Sequence, residues 1–153
     1  MDDVSLHIDA PPERLYDLVT DVTQMGRWSP ECTGGTWRRG ATGPAVGAQF
    51  RGSNRRGPVR WWTHCTITKA DRPHAFEFRV SESGMVWGYR FEPDGEGTNA
   101  TEYRQHTKAV NPVVKLVQVS GVIGRSREQL MVEGMRDTLE RLKAAAEGAT
   151  EPV

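Results

Sequence analysis

Hydrophobic positions along this chain change period three times. Val4, Leu6 and Ile8 alternate with Ser5, His7 and Asp9, the pattern of a half-buried strand. Pro11-Pro12-Glu13 then reads as a helix start, with proline and an acid in the first turn and Leu15, Leu18 and Val19 forming a short apolar face. Asp21 with Gln24 caps a second short helix that carries Met25 and Trp28 and stops at Ser29-Pro30. From Glu31 the period becomes two, and glycine-rich turns separate strands predicted over 32–37, 46–52, 60–69, 75–80, 85–91 and 98–108. Asn54-Arg55-Arg56-Gly57-Pro58 is predicted as a turn. In the third of these strands Trp61, Thr63, Cys65 and Ile67 share one face, and Trp62, His64, Thr66 and Thr68 the other. With the first strand there are seven, and turns this short imply an antiparallel meander.

The last change is to a helical period over residues 126–147. At about 100° per residue, Met131, Gly134, Met135, Thr138, Leu139, Leu142, Ala145 and Ala146 fall in one arc. Glu133, Arg136, Asp137, Glu140, Arg141 and Lys143 fill the opposite arc, and Leu130 sits near the seam. Ser126 with Gln129 reads as a capping box and Gly148 as the stop. Such a helix needs a wide apolar surface to lie on. Residues 112–125, opened by Asn111-Pro112 and rich in valine, read either as a kinked lead-in to the helix or as a flap.

At 153 residues the chain is long enough for one domain with a real core, here taken as 1–148 with a disordered tail over 149–153. Twenty basic and twenty acidic residues leave no global field to attract nucleic acid or membrane. A mean hydropathy of −0.60, with no long apolar run, speaks against stable membrane insertion. The acidic N-terminus predicts no signal peptide, and two cysteines are too few for a disulfide framework, so a cytoplasmic protein is expected.

Several stretches carry a family resemblance: Ile8-Asp9-Ala10-Pro11-Pro12-Glu13, Met25-Gly26-Arg27-Trp28-Ser29-Pro30-Glu31-Cys32, Val46-Gly47-Ala48-Gln49-Phe50, Cys65-Thr66-Ile67-Thr68-Lys69-Ala70 and Gly134-Met135-Arg136-Asp137-Thr138-Leu139. With the order of elements, they resemble the START-like (SRPBCC) superfamily, and within it the actinobacterial polyketide cyclase/dehydrase branch. The resemblance implies an α+β, helix-grip (Bet v 1-like) fold: a curved seven-stranded antiparallel sheet wrapped around the C-terminal helix, with a cavity between. It implies no single activity, because members include cyclases, aromatases and carriers of lipids or hormones.

The chemistry is sparse. Four scattered histidines share no spacing with Cys32 or Cys65, so neither a metal nor a cofactor is expected. His64 and Cys65 point to opposite faces and cannot pair as base and nucleophile. No nucleophile elbow, phosphate loop or dinucleotide fingerprint is present. The candidate catalytic residues are Glu102, Arg104 and His106, which share one face of the last strand. Facing inward they could polarise a carbonyl and shuttle a proton, and facing outward they would be cross-strand charge pairs. Candidate ligand contacts are Trp28, Glu31, Trp37, Phe50, Trp61, Cys65, Phe78, Trp87, Tyr89, Met131 and Met135, and the same residues can equally be core. Glu31 marks the expected cavity mouth, or a surface carboxylate beside a helix. Arg38, Arg39, Arg51, Arg55, Arg56 and Arg60 cluster around one hairpin, which fits a phosphate, a lipid headgroup, an acidic carrier protein or plain solvation. Three functions follow as expectations: binding of a small hydrophobic molecule by a monomer or weak homodimer, cyclisation and dehydration of a poly-β-keto chain, or a regulatory role of the surface.

Overall fold

The computed structural model describes residues 2–29, 32–106 and 124–148, with the side chains of His106 and of residues 124–131 outside that description. Chain order is β1 (Asp2–Ile8), α1 (Pro12–Thr20), a 3-10 helix (Val22–Arg27), β2 (Cys32–Arg38), β3 (Gln49–Arg56), β4 (Val59–Asp71), β5 (Ala75–Val80), β6 (Met85–Asp94), β7 (Gly97–His106) and α2 (Gly124–Gly148). The strands make one sheet in the order β1-β7-β6-β5-β4-β3-β2, every pair antiparallel. The first strand thus closes beside the last, and everything between is a meander of neighbours.

Register decides which side chains share a face, because directly paired residues point the same way. Val4 opposes Glu102, Glu102 opposes Tyr89, and Tyr89 opposes Phe76. Trp37 opposes Phe50, Phe50 opposes Cys65, and Cys65 opposes Val80. These residues line the inner face, together with Ile8, Phe78, Ile67 and Phe91, all buried. Met135, Thr138, Leu139, Leu142 and Ala146 of α2 are buried, while Glu133, Arg136, Asp137, Glu140 and Arg141 are exposed, as the helical arc predicts. The helix lies across β1 and touches β7 and α1. Its end is pinned there: the Asp9 amide donates to Glu147 (2.9 Å), Arg14 Nε donates to the Ala146 carbonyl (3.1 Å), and Lys143 pairs with Glu147.

At the opposite edge the 3-10 helix sits directly on β2. Asp21 caps it through the Thr23 amide. A Cβ on Gly35 would meet the Val22 carbonyl oxygen at 2.5 Å, so only glycine permits this approach.

Two expectations need correction. The strand read as 46–52 is Gln49–Arg56, and Asn54-Arg55-Arg56 belong to it, because Gly57, with φ of 59°, turns the chain on its own. The phase read for β4 holds through Thr68, and a bulge between Ile67 and Lys69 then brings Ala70, opposite Phe76, onto the inner face. Among the described residues the long helix already spans Gly124–Gly148, so Ser126 lies within it and not at its N-cap. The last strand, read as 98–108, is described as Gly97–His106, and residues 107–108 fall outside the described residues. The lead-in at 112–123 and the tail at 149–153 fall outside the described residues.

Candidate functional site

Glu102 and Arg104 stand on the inner face of β7, which settles the direction that alternation alone left open. The cause is their neighbours: β1 presents Val4 and Ile8 inward, and β7 must follow its register. Glu102 is 5 % exposed and Arg104 4 %. The Arg104 guanidinium turns to the edge of the sheet, where Nε and a terminal nitrogen donate to Asp2 Oδ2 at 2.8 and 2.7 Å. Asp2 was not singled out in the sequence, although it shares the phase of Val4, Leu6 and Ile8. His106 continues the same face as backbone, opposite Met85, but its side chain lies outside the described residues.

Glu102 has a different environment. Burial drives its carboxyl up to about 8, and a hydrogen bond from the Tyr89 phenol only partly offsets this. Its Oε2 is buried and has no hydrogen-bond partner among the described residues. Tyr89 is pushed well above the ordinary phenol range by the same burial, reinforced by the carboxylate beside it. At neutral pH the pair is therefore a carboxylic acid that accepts from a phenol and keeps its own proton to donate.

Around this pair the inner face is aromatic. Ring contacts run from Trp37 to Phe50 (6.0 Å between centroids), Phe50 to Phe78 (5.2 Å), Phe78 to Phe76 (5.9 Å) and Phe76 to Tyr16 (6.4 Å). The sequence-expected ligand contacts divide into two groups along it. Trp28, Phe50, Cys65, Phe78 and Met135 are buried in the core cluster. Trp37, Trp61, Trp87 and Tyr89 are only half-buried, although they occupy the face that curves around the interior. Glu31 and the Met131 side chain lie outside the described residues.

Cys65 is pushed up to about 12 and Cys32 is raised, both chiefly by burial, so both are thiols and poor nucleophiles. No group of three or more possible metal ligands occurs among the described residues. No helix among them is long and apolar enough to cross a membrane.

A second polar cluster, on the outer face, was not read from the sequence. Glu77 accepts from the Tyr103 hydroxyl (2.8 Å) and the Thr68 hydroxyl (2.8 Å), and Arg90 lies over the Tyr103 ring. Tyr103 covers Gly88, where a Cβ would meet the ring at 2.3 Å. The available signal was the glycine in mid-strand, which implies close approach by something.

Comparisons with known proteins agree with this architecture. A Corynebacterium glutamicum polyketide-cyclase-like protein is 30% identical, with a TM-score of 0.54 over 97% of this chain and 83% of its own. A Thermus thermophilus protein, TTHA0849, is 19% identical, with a TM-score of 0.70 over 97% of this chain and 98% of its own. The di-domain aromatase/cyclase StfQ from the steffimycin biosynthetic pathway is 11% identical, with a TM-score of 0.76 over 97% of this chain and 51% of its own. Among curated proteins none matches. The sequence profile described as polyketide cyclase / dehydrase and lipid transport matches residues 3–147, nearly the whole chain, and with the helix-grip architecture this makes the protein a member of that family.

Proposed function

We infer that the protein binds a hydrophobic or aromatic small molecule, lipid- or polyketide-like, between the inner face of the sheet and α2. The observation that carries this reading is the set of half-buried aromatic residues on the inner face. Trp37, Trp61, Trp87 and Tyr89 keep accessible surface on the side that a packed core would cover completely. The Glu102–Tyr89 pair supplies the polar end. With the phenol donating to Glu102, the neutral acid donates to a carbonyl or hydroxyl on the ligand and fixes its orientation. Two buried free cysteines suit a reducing cytoplasm, the setting proposed for this monomer or weak homodimer, which takes no nucleic acid.

One observation favours a second reading, that of a cyclase/dehydratase. A carboxyl held near 8 stays protonated at neutral pH and so serves as a general acid in an aldol cyclisation or dehydration. Positioning by the aromatic surface supplies much of such a barrier.

Native mass spectrometry of the purified protein, with thermal shift against fatty acids, sterols, flavonoids and aromatic polyketides, tests the first reading. A retained mass, or a shift of several degrees for one class, is expected. No mass and no shift for any class would overturn it. For the second reading, a poly-β-keto substrate must cyclise faster with wild type than with Glu102→Gln.

A further inference from the structure

Charge in this chain is balanced only in total. Between Cys32 and Ala70 there is no aspartate or glutamate, while Arg38, Arg39, Arg51, Arg55, Arg56, Arg60 and Lys69 give seven cations. The remainder carries thirteen basic and twenty acidic residues. The fold gathers the acid-free stretch into one body, because β2, β3 and β4 are consecutive neighbours at one edge of the sheet. It also divides the arginines. Arg38 pairs with Gln49 at one end of β3, whereas Arg55 and Arg60 stand opposite each other at the other end, beside the Gly57-Pro58 turn.

That Arg55–Arg60 pair is unfavourable by itself, since like charges directly across a ladder repel. Two residues on from Arg60, and therefore on the same face, Trp62 is 55 % exposed, and Val59, on the Trp61 face but at the very tip beside the turn, is 59 % exposed. They are two of the three most exposed large apolar residues among those described. An exposed indole and an aliphatic tip set among arginines form the combination that seats at a bilayer interface, the ring at headgroup depth and the cations on anionic lipid. Trp61, the neighbour of Trp62, faces the interior instead. The same hairpin end therefore borders the inner face on one side and presents the basic, aromatic tip on the other.

We propose that the β3–β4 hairpin tip, through Arg55, Arg60, Val59 and Trp62, docks the protein reversibly on an anionic phospholipid surface. Charge complementarity selects anionic over zwitterionic lipid, and the repulsion between the paired arginines falls when headgroup phosphates lie between them. The exposed Trp62 and Val59 favour a bilayer over an acidic protein, because only the bilayer offers both apolar depth and diffuse negative charge. This surface is independent of the interior pocket.

Vesicle co-sedimentation tests it, using phosphatidylcholine alone and phosphatidylcholine with about 30 mol % phosphatidylglycerol. Wild type is expected to bind only the anionic vesicles, more weakly as NaCl rises from about 0.05 to 0.5 M. Arg55→Glu/Arg60→Glu should weaken binding by about tenfold or more, and Trp62→Ala several-fold. The control Arg136→Glu/Arg141→Glu makes the same change in net charge on the exposed face of α2 and should bind as wild type does. Circular dichroism and thermal melting establish that each variant is folded. Absence of binding to anionic vesicles, or equal loss in the control, overturns the proposal. So does tighter binding to an acidic polypeptide than to the anionic vesicles.

Discussion

β1 and β7 at one end of the sheet, and β2 to β4 at the other, belong to a single hydrogen-bonded ladder and share one inner face. At the first end α2 lies on the strands, Leu139 and Leu142 have no exposed surface, and even Glu102 and Arg104 are enclosed. At the second end Trp37 and Trp61 keep exposed surface on the inner side, and Trp62, Arg38, Arg55 and Arg60 are exposed outside. The difference lies in what covers each end. A sheet face under an amphipathic helix must bury whatever its register turns inward, charges included. A face without that cover leaves large aromatic residues such as Trp37 and Trp61 in partial contact. One end provides stability and the other presents surface.

The sharpest way to break this comparison is through pH. The Glu102 carboxyl is raised from its model-compound value of 4.5 to about 8. The folded state therefore binds more protons than the unfolded chain between those values, and stability falls as pH rises through that window. Full ionisation costs on the order of 4–5 kcal/mol. Urea titrations should show stability dropping from pH 4.5 to about 8 and levelling above it. Glu102→Gln should flatten the drop and be more stable than wild type above that window. The lowered carboxyls Asp17, Asp21, Glu82 and Glu147 act with the opposite sign and below their ordinary range, so they do not mask the effect.

Next in size, Leu139→Ala should cost about 3 kcal/mol, because it opens a cavity between α2 and β1 that neither element can close. A loss below about 1 kcal/mol in chemical denaturation would mean that the helix is not what stabilises this end. Asp2→Asn should cost about 2 kcal/mol, less than a fully buried pair, since Arg104 is enclosed while the Asp2 side chain is 45% exposed. Smallest in stability is Trp61→Ala, expected at about 1 kcal/mol or less. It should nevertheless reduce the thermal shift produced by whichever ligand class stabilises wild type. If Trp61→Ala destabilised as much as Leu139→Ala, the two ends would not differ in kind.

Much of this was legible in the chain. The helix was visible with its buried and exposed arcs, since a period of about 3.6 residues separates Leu139 and Leu142 from Glu140 and Arg141 without reference to any neighbour. The phase of Trp61, Cys65 and Ile67 was also readable. Beyond Thr68 the faces were not read, and there a bulge brings Ala70 onto the inner face, a shift of which alternation carries no mark. The turn at Gly57 was drawn too wide for a related reason: polar Asn54, Arg55 and Arg56 look like loop residues, yet they pair with Trp61, Arg60 and Val59.

The sequence by itself determined the order of elements, the antiparallel meander, the amphipathic helix and the scarcity of catalytic motifs. These depend on local period, turn chemistry and residue type, which a chain carries without knowing its fold. Only the tertiary structure decided that Glu102 and Arg104 face inward, that Asp2 meets Arg104 from 102 residues away, and that Tyr103 and Glu77 join on the outer face. Alternation divides a strand into two faces but does not say which one is inside. That choice belongs to the neighbouring strands and the helix covering them, and it turned Glu102 from a surface carboxylate into a buried acid.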